Sequence, residues 1–593
     1  MAKEIKFSLI YRDMWQSSGK YQPRADQLKQ IAPVIVEMGC FSRVETNGGA
    51  FEQVNLLFGE NPNKAVRVFT EPLNKAGIQT HMLDRGLNGL RMNPVPADVR
   101  KLMYKVKHAQ GVDITRIFCG LNDPRNIIPS IQYAKEGGMI PQAALCITYS
   151  PIHTVDYYVK LAEKLIDAGA EEICLKDMAG IGRPYSNGQI VKGIKKRHPN
   201  IPVQYHGHTG PGFSVASMME VAQNGADYLD MAMEPLAWGM VHPDVITIQA
   251  MLKDAGFLVL DINMEAYMEA RRLTQTFVDD FLGYFIDPSN KTMTSLLIGC
   301  GLPGGMMGSM MADLKGMHSA INMTLRQKGK KEVTLNNLVV QLFKEVETIW
   351  PMLGYPPLVT PFSQYVKNIA LMNILANAKD EPRFSTIDKD SWNMILGKMG
   401  KLPGPLAPEI VELAKANNLE FYTGDPQAAF PNDLERFRTE MQTKGWDVGP
   451  DEEELFEYAM HERQYLDMKS GTAKNRFNQE LEQAKEKAGT PIIIKRPVIE
   501  IPMFSFEEIS KEYPSAKPVH APCKGQVIWQ YDLTDESTAP FEGSAIKQGD
   551  NLCYIQNFYG IEPVPVGYGG TIVGTYAEQG KEVQKGEILA FIN

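Results

Sequence analysis

The sequence predicts an α/β protein: a closed (β/α)8 TIM barrel, followed by a mostly α-helical domain and a small C-terminal β-sandwich. Three observations support this prediction. From residue 1 to about 255, short β-branched runs alternate with longer helical patterns. Polar residues gather where those runs end, which is the face on which barrels build their sites. An internal repeat near the C-terminus is typical of a two-halved β domain.

Eight apparent strands make up the barrel, which is assigned to residues 1–255. The strand ends are spaced by roughly 25 to 38 residues, the length of a strand–helix unit. They lie near Asp13, Glu45, Leu83, Phe118, Thr148, Lys176, His206 and Met231. The segments between them have apolar residues at helical spacing, as in residues 155–168. Repeated units of this kind predict a parallel barrel.

Long helical patterns take over after the barrel. Residues 256–465 are assigned to a helical domain, with helices predicted at 264–282 and 335–349. Residues 466–515 then hold a charged helix, predicted at 475–488, and a linker-like segment.

The C-terminal residues 516–593 contain two similar halves. Residues 546–555 align without gaps with residues 583–592, and a Gly–polar–β-branched triplet precedes each copy, beginning at Gly525 and Gly570. Short strands separated by glycine turns predict a pseudo-twofold β-sandwich.

The composition is ordinary for a globular protein. The net charge is −9 across 593 residues, so the chain lacks the basic footprint of a nucleic-acid binder. Seven cysteines form no CxxC pair, which suits a reducing compartment. Lys3 and Lys6 lead into the first strand without the apolar core of a signal peptide. We therefore predict a cytoplasmic protein without a nucleic-acid partner.

A candidate metal site lies at the predicted strand ends. His206 and His208 are separated by one residue, so strand alternation turns both imidazoles to one side. With a carboxylate from Asp13 on the first strand, they form a set suited to Zn²⁺ or Mn²⁺. The alternative is a pair of hydrogen-bonding histidines on a loop.

Lys176 ends an otherwise apolar strand that begins near Ile173. A buried ammonium is costly unless it is paired or chemically altered. Carbamylation by CO₂ would convert it into an anionic oxygen ligand for the same metal. An ion pair with Asp177 or Glu45 is the alternative, and the sequence leaves it open.

Several segments resemble the carboxyltransferase domains of biotin-dependent enzymes, namely pyruvate carboxylase, the oxaloacetate decarboxylase α subunit and the pyruvate-handling subunit of transcarboxylase. The matching segments follow one another in family order and cover nearly the whole chain: 11–17, 45–50, 116–126, 175–179, 206–208, 302–306, 356–361 and 397–405.

The resemblance implies a role for each matching residue. The metal ligands are Asp13, carbamylated Lys176, His206 and His208, which accept Zn²⁺, Mn²⁺ or Co²⁺. Gln16 and Arg85 bind the keto acid, and Glu52 takes the place of a functional aspartate of the family. Thr360 passes a proton between the pyruvate methyl group and the biotin ring nitrogen, so that Thr360, Lys176 and Arg85 form the implied catalytic set.

The implied reaction is metal-dependent carboxyl transfer between carboxybiotin and pyruvate or oxaloacetate. It is the half-reaction of both oxaloacetate decarboxylase and pyruvate carboxylase, so its direction stays open. The implied partners are a biotin carrier protein and a biotin carboxylase, an acyl-CoA carboxyltransferase or a membrane pump subunit. The family also implies a homodimer.

The chain departs from the family pattern at several positions. Met14 and Trp15 replace an Ala-His pair, and Cys119 stands where an aspartate is common, either as a reactive thiol or as a packing residue. The C-terminal repeat resembles a biotinyl domain, but Tyr559 occupies the position of the modified lysine. Because no amine exists there, biotin is expected on a separate carrier protein.

Two other functions are compatible with parts of this pattern. A metal-dependent Claisen-type lyase or synthase also pairs an N-terminal aspartate with HxH, but it acts on acyl-CoA and has no counterpart of Lys176. A non-catalytic assembly subunit would suit Trp15 and Tyr559. The complete set from Asp13 to Thr360 favours the carboxyltransferase.

Overall fold

The computed structural model describes residues 3–300, 307–488, 513–529, 543–557, 560–577 and 580–593. The chain divides into two compact units, Met1–Lys487 and Ala488–Asn593. The family-like segment 302–306 and the position of Tyr559 lie outside the described residues. The predicted boundaries at 255, 465 and 515 stay predictions.

A closed parallel barrel forms the centre of the first unit, as predicted. Each strand pairs with the next, and the first also pairs with the last, for example Lys6 with Tyr228. The strands are β1 (Lys6–Leu9), β2 (Phe41–Gly48), β3 (Gln79–Asp84), β4 (Ile114–Phe118), β5 (Ile140–Cys146), β6 (Glu172–Asp177), β7 (Val203–Gly207) and β8 (Tyr228–Met231).

Helices follow the strands around the barrel. They are α1 (Tyr11–Ser18), α2 (Ala25–Glu37), α3 (Phe51–Phe58), α4 (Pro62–Lys75), α5 (Ala97–Ala109), α6 (Pro124–Glu136), α7 (Val155–Asp167), α8 (Pro184–Arg197), α9 (Ser214–Gln223) and α10 (Val245–Asp254). Helix α7 confirms the helical pattern at 155–168.

The predicted end of the first strand was wrong. Strand β1 ends at Leu9, and Asp13 lies in the first turn of α1. The residues Tyr11, Met14, Trp15 and Ser18 are buried and follow the i, i+3, i+4, i+7 spacing of a helix face. Glu45 was also misplaced, because β2 continues to Gly48 and Glu45 lies within it.

The N-terminal half of the barrel interior contains buried charges. Arg43 is 2% exposed and donates to both carboxylate oxygens of Glu172, at 2.9 and 2.6 Å. It also donates to Gln204, and Gln142 donates to both Glu172 and Gln204. Buried charges need such partners, because an unpaired one is strongly disfavoured in a low dielectric.

Residues beyond the barrel are mostly helical, as predicted. The helices are α11 (Met264–Asp280), α12 (Leu297–Cys300), α13 (Met307–Gln327), α14 (Leu335–Met352), α15 (Phe362–Ala378), α16 (Lys389–Ile395), α17 (Pro408–Ala416), α18 (Leu434–Thr443), α19 (Glu453–Met460), α20 (Glu462–Lys469) and α21 (Thr472–Ala488). Helix α21 packs Phe477 against Tyr21 and Phe58, with ring centroids 5.2 and 5.1 Å apart.

One segment of this helical region lies against the C-terminal end of the barrel. A Cβ atom added to Gly120, just after β4, would be 2.6 Å from the ring of Phe362 and 3.2 Å from Val359. Only glycine permits so close an approach. This contact fixes Thr360, which lies between those two residues, beside the strand ends.

The second unit contains the two predicted β halves. The first half gives β9 (Lys517–His520), β10 (Gly525–Ile528), β11 (Ala545–Ile546) and β12 (Asn551–Asn557), and the second gives β13 (Gly560–Pro565), β14 (Gly570–Thr575), β15 (Glu582–Val583) and β16 (Ile588–Ile592). The described strands form two sheets, with orders β13-β12-β10-β15 and β9-β16-β14-β11. Exchanging the halves converts one order into the other.

Two glycines show the same twofold relation at atomic detail. A Cβ added to Gly525 would clash with the carbonyl oxygen of Gln556, and one added to Gly570 would clash with that of Asn593. Residues 556 and 593 are equivalent in the repeat. The pseudo-twofold β-sandwich predicted from the repeat is therefore confirmed. Among all described residues, no helix combines the length and apolar character needed to cross a bilayer.

We expect Glu172→Gln to destabilise the first unit. Removing one charge of a buried pair leaves Arg43 uncompensated, at a cost of about 3 kcal/mol. Thermal unfolding followed by circular dichroism should show an apparent midpoint several degrees lower. The matched control is Glu163→Gln, which removes the partner of Arg197 in a surface pair and should leave the midpoint unchanged. Equal midpoints for both variants would contradict the role assigned to the interior network.

Candidate active site

Four side chains converge at the C-terminal end of the barrel. Asp13 comes from α1, His206 from β7, His208 from the residue after β7, and His242 from the loop after β8. One ligand atom from each lies within 4.8 Å of all the others, and all four residues are buried. Sequence analysis predicted three of them and missed His242.

Hydrogen bonds on the far side of two rings orient them. His206 Nδ1 is 2.7 Å from Asp230 Oδ2, and His208 Nδ1 is 2.8 Å from the carbonyl oxygen of Met240. These partners accept hydrogen bonds, so each Nδ1 carries the proton and each Nε2 presents a lone pair. The two Nε2 atoms are 3.2 Å apart. Lone pairs held this close repel one another unless a cation lies between them.

The carboxylate of Asp13 faces the same point. Its Oδ2 atom is 3.2 Å from His208 Nε2 and 3.7 Å from His206 Nε2. Burial favours the neutral acid, but the guanidinium of Arg12 and the ring of His208 outweigh it and hold the pKa of Asp13 well below its usual range. Burial also holds the pKa of His206 well below its usual range. An anionic carboxylate and neutral imidazoles are the forms that bind divalent metals.

Lys176 lies directly beside this group, near the end of β6. Its Nζ atom is 2.9 Å from His206 Nε2, and it is 1% exposed. The two carboxylates proposed as ion-pair partners are engaged elsewhere, because Glu45 pairs with Arg12 at 2.7 Å and Asp177 accepts from backbone amides of the following loop. Burial lowers the pKa of Lys176, which favours the neutral amine.

A cavity of about 240 Å³ opens beside the group. Besides Asp13, Lys176 and His208, its lining includes Gln16, Arg85 and Thr360. Arg85 Nη1 donates to the carbonyl oxygens of Gly49 and Leu90, at 3.1 and 3.2 Å, which fixes the guanidinium at the wall. Burial lowers the pKa of Arg85 to about 10, so it stays cationic at neutral pH.

Comparison with known proteins identifies the family. A family model described as a conserved carboxylase domain matches residues 300–489, and one described as HMGL-like matches residues 125–266. The chain is 30% identical to a pyruvate carboxylase subunit of Methanocaldococcus jannaschii, over 76% of this chain and 75% of that protein. The chain belongs to the biotin-dependent carboxyltransferases.

Other relatives agree with this assignment. The carboxyltransferase is 30% identical to the 2-oxoglutarate carboxylase large subunit of Hydrogenobacter thermophilus, over 77% of this chain and 67% of that protein. The carboxyl transferase domain of Rhizobium etli pyruvate carboxylase, solved with pyruvate and biocytin, has the same fold, with a TM-score of 0.68 at 23% identity over 79% of this chain and 78% of that one. Membership of the family replaces the alternatives of a Claisen-type lyase and a non-catalytic assembly subunit.

Glu52 of the carboxyltransferase does not line the cavity with Gln16 and Arg85. It is fully buried on α3, where it accepts a hydrogen bond from Asn47 at 3.0 Å and lies 3.4 Å from Lys107 Nζ. Glu457 of α19 lies 3.3 Å from the same ammonium. Glu52 thus connects the barrel to a later helix, and its predicted role in substrate binding stays a prediction.

The two departures from the family pattern in the barrel are packing residues by their surroundings. Trp15 is fully buried on the inner face of α1. Cys119 is 5% exposed, its Sγ accepts a hydrogen bond from Asn126 at 3.3 Å, and burial raises the pKa of its thiol. A raised thiol pKa disfavours the reactive thiolate, so Cys119 suits the packing alternative.

His242 left little signal in the sequence. It lies well beyond the end of β8, in a loop, whereas the prediction considered only residues at or just past strand ends. Burial lowers the pKa of His242 to about 4, so its ring is neutral at physiological pH. Its Nε2 atom is 3.6 Å from Asp13 Oδ2.

We expect Asp230→Asn to weaken metal binding without unfolding the carboxyltransferase. Asp230 fixes the proton of His206 on Nδ1, and loss of such an outer partner typically costs roughly 10- to 100-fold in metal affinity. Titration of chelator-treated protein with Zn²⁺ and a competing indicator measures the change. Circular dichroism checks folding, because Asp230 also pairs with Arg116 at 2.6 Å. Unchanged affinity in a folded variant would refute the orienting role.

Proposed function

We propose that this carboxyltransferase moves the carboxyl group between carboxybiotin on a separate carrier protein and pyruvate or oxaloacetate. One observation carries the proposal: the residues implied to bind the keto acid and to move the proton, Arg85, Gln16 and Thr360, line the same cavity as Asp13 and Lys176. A chain that merely retained the barrel would not need a guanidinium, a hydroxyl and a metal-type cluster in one small cavity.

The donor set fits a divalent cation. Asp13, His206, His208 and carbamylated Lys176 would hold Zn²⁺, Mn²⁺ or Co²⁺, for which carboxylate and imidazole are suitable ligands. When bound, such a cation supplies positive charge that stabilises an enolate oxygen. Lys176 is suited to carbamylation, since the neutral amine favoured by its burial is the form that attacks CO₂.

Binding of the keto acid depends on Arg85 and Gln16. A guanidinium presents a planar pair of donors that matches a carboxylate, and Arg85 is held in place by two backbone carbonyls. Gln16 accepts a hydrogen bond from Arg12 through its Oε1 atom, which leaves the amide nitrogen to donate to the substrate. The solved Rhizobium etli domain with pyruvate and biocytin supports a keto acid and a biotin group in one fold.

Thr360 is suited to moving a proton. It lines both the main cavity and a second, smaller cavity that also borders Arg85 and Phe118. In the carboxylation direction, the hydroxyl oxygen accepts a proton from the pyruvate methyl group while the hydroxyl hydrogen passes to the biotin ring nitrogen. Arg85 stabilises the enolate, which attacks CO₂ released from carboxybiotin to give oxaloacetate. The reverse steps decarboxylate oxaloacetate.

The carrier and the other partners are separate chains in this proposal. The sequence has Tyr559 where a biotinyl domain has its lysine, so biotin arrives on another protein. The subunit names of the relatives support partner subunits such as a biotin carboxylase, an acyl-CoA carboxyltransferase or a membrane pump subunit. We propose a homodimer as the working assembly.

The first test is biotin-dependent decarboxylation of oxaloacetate. Purified protein with oxaloacetate and free biotin should release pyruvate, and Thr360→Val should lower kcat by about 10²- to 10⁴-fold because it removes the proton relay but keeps the shape. Thr360→Ser keeps the hydroxyl and is the matched control, expected within about tenfold of wild type. Lys176→Ala should also lose activity. Equal rates for the valine and serine variants would refute the relay.

A second test concerns the keto-acid carboxylate. Arg85→Lys keeps the charge but loses the two-pronged donor, so KM for oxaloacetate should rise by about 10- to 100-fold with a smaller change in kcat. Arg91→Lys is the control, since Arg91 donates to the carbonyl oxygens of Pro94 and Met460 and does not line the main cavity. A KM unchanged in Arg85→Lys would remove this residue from the substrate site.

A further inference from the structure

We infer that His242 is a metal ligand, and that it allows the site to hold its cation before Lys176 is carbamylated. This inference rests on the metal-dependent function proposed above and adds a residue that the family resemblance does not supply. In the resemblance, the protein ligands are Asp13, Lys176, His206 and His208.

The first argument is the state of the His242 ring. His242 is 0% exposed, and in the described part of the chain neither ring nitrogen has a hydrogen-bond partner. Leaving a buried polar group unsatisfied costs about 1–3 kcal/mol. The one polar group the ring faces closely is Asp13, whose Oδ2 atom is 3.6 Å from Nε2, too far for a hydrogen bond but suitable for a shared ion.

The second argument is the geometry of the cluster. Ligand bonds of about 2.0–2.1 Å in a tetrahedral zinc site give ligand–ligand distances of about 3.4 Å. Asp13 Oδ2 lies 3.2, 3.6 and 3.7 Å from Nε2 of His208, His242 and His206. The His242 ring centroid is 4.3 Å from that of His206 and 4.4 Å from that of His208. His242 therefore stands in the cluster as the other two histidines do.

The third argument is that the backbone holds His242 in place. The carbonyl oxygen of His242 accepts from the amide of Trp238 at 2.8 Å, and that of Pro243 accepts from Ala232 at 3.0 Å. Asp244 then caps α10 by accepting from the amide of Ile246 at 2.8 Å. A ligand fixed by its own loop in this way loses little freedom when it binds.

The consequence concerns the order of events. Asp13, His206, His208 and His242 form a complete four-donor set of one carboxylate and three neutral imidazoles. The unmodified Lys176 amine lies beside it, 2.9 Å from His206 Nε2. The cation is therefore bound first, and the carbamate formed when the amine attacks CO₂, with release of a proton, adds an anionic fifth donor.

The test is metal binding with and without CO₂. Chelator-treated protein is dialysed against Co²⁺ in CO₂-depleted buffer or with added bicarbonate, and bound metal is counted by mass spectrometry. The visible absorption of Co²⁺ reports the coordination number. Wild type and Lys176→Ala should each bind one Co²⁺ per chain without CO₂. His242→Ala should lose at least the roughly 10- to 100-fold in affinity that loss of an outer partner costs, and bicarbonate should restore part of it.

Two comparisons keep the result interpretable. His461→Ala removes another histidine that is 2% exposed with an unpartnered Nε2, at a site away from the cluster, and should leave metal affinity unchanged. His242→Gln serves if the alanine variant does not fold. Affinity and Co²⁺ spectrum unchanged in the His242 variants would overturn the inference. Folded Lys176→Ala without metal would overturn it too.

The inference and the proposed function fail separately. If wild type decarboxylates oxaloacetate with free biotin while His242→Ala binds Co²⁺ as wild type does, His242 is not a ligand but the carboxyl-transfer function stands. If Co²⁺ binds through His242 but no pyruvate is released from oxaloacetate, the ligand assignment stands and the substrate assignment falls.

Discussion

The structure depends on one constraint: charges enclosed within the barrel must be paired there. Arg116 donates to Asp230 at 2.6 Å and to Gln142 at 2.6 Å, and Gln142 and Gln204 continue the hydrogen bonds to Arg43 and Glu172 at the opposite end. Barrel interiors are ordinarily filled by branched apolar side chains. Here a polar network runs along the axis, and its last member, Asp230, sets the proton of His206.

This network explains why the active-site groups hold the charges they do. Asp13 stays anionic because Arg12 lies beside it, and Arg12 itself is neutralised by Glu45, so each charge at the mouth has a partner within the barrel. The imidazoles stay neutral because they are buried among cations as well as anions. The site is thus ready for a cation without rearrangement, as preorganised electrostatics require.

Much of the fold could be predicted from the sequence, because strand–helix units and the C-terminal repeat leave regular patterns. Local errors arose where two patterns competed. Asp13 was assigned to a strand end although Tyr11, Met14 and Trp15 already show helical spacing. The site was predicted only in part, because His242 reaches it from a loop, and loop paths depend on tertiary contacts. Glu52 shares the motif region of the family, yet its helix turns it towards Lys107.

The contact between Gly120 and Phe362 divides the chemistry of this enzyme between two parts of the chain. The barrel carries the whole cluster of Asp13 and histidines, whereas the hydroxyl of Thr360 belongs to the helical region that closes over it. A barrel without that closure is a metal-binding protein that has no means of protonating biotin. Catalytic competence is therefore a property of the closed packing, and separation of the two surfaces would admit water and stop turnover while the cation stays bound.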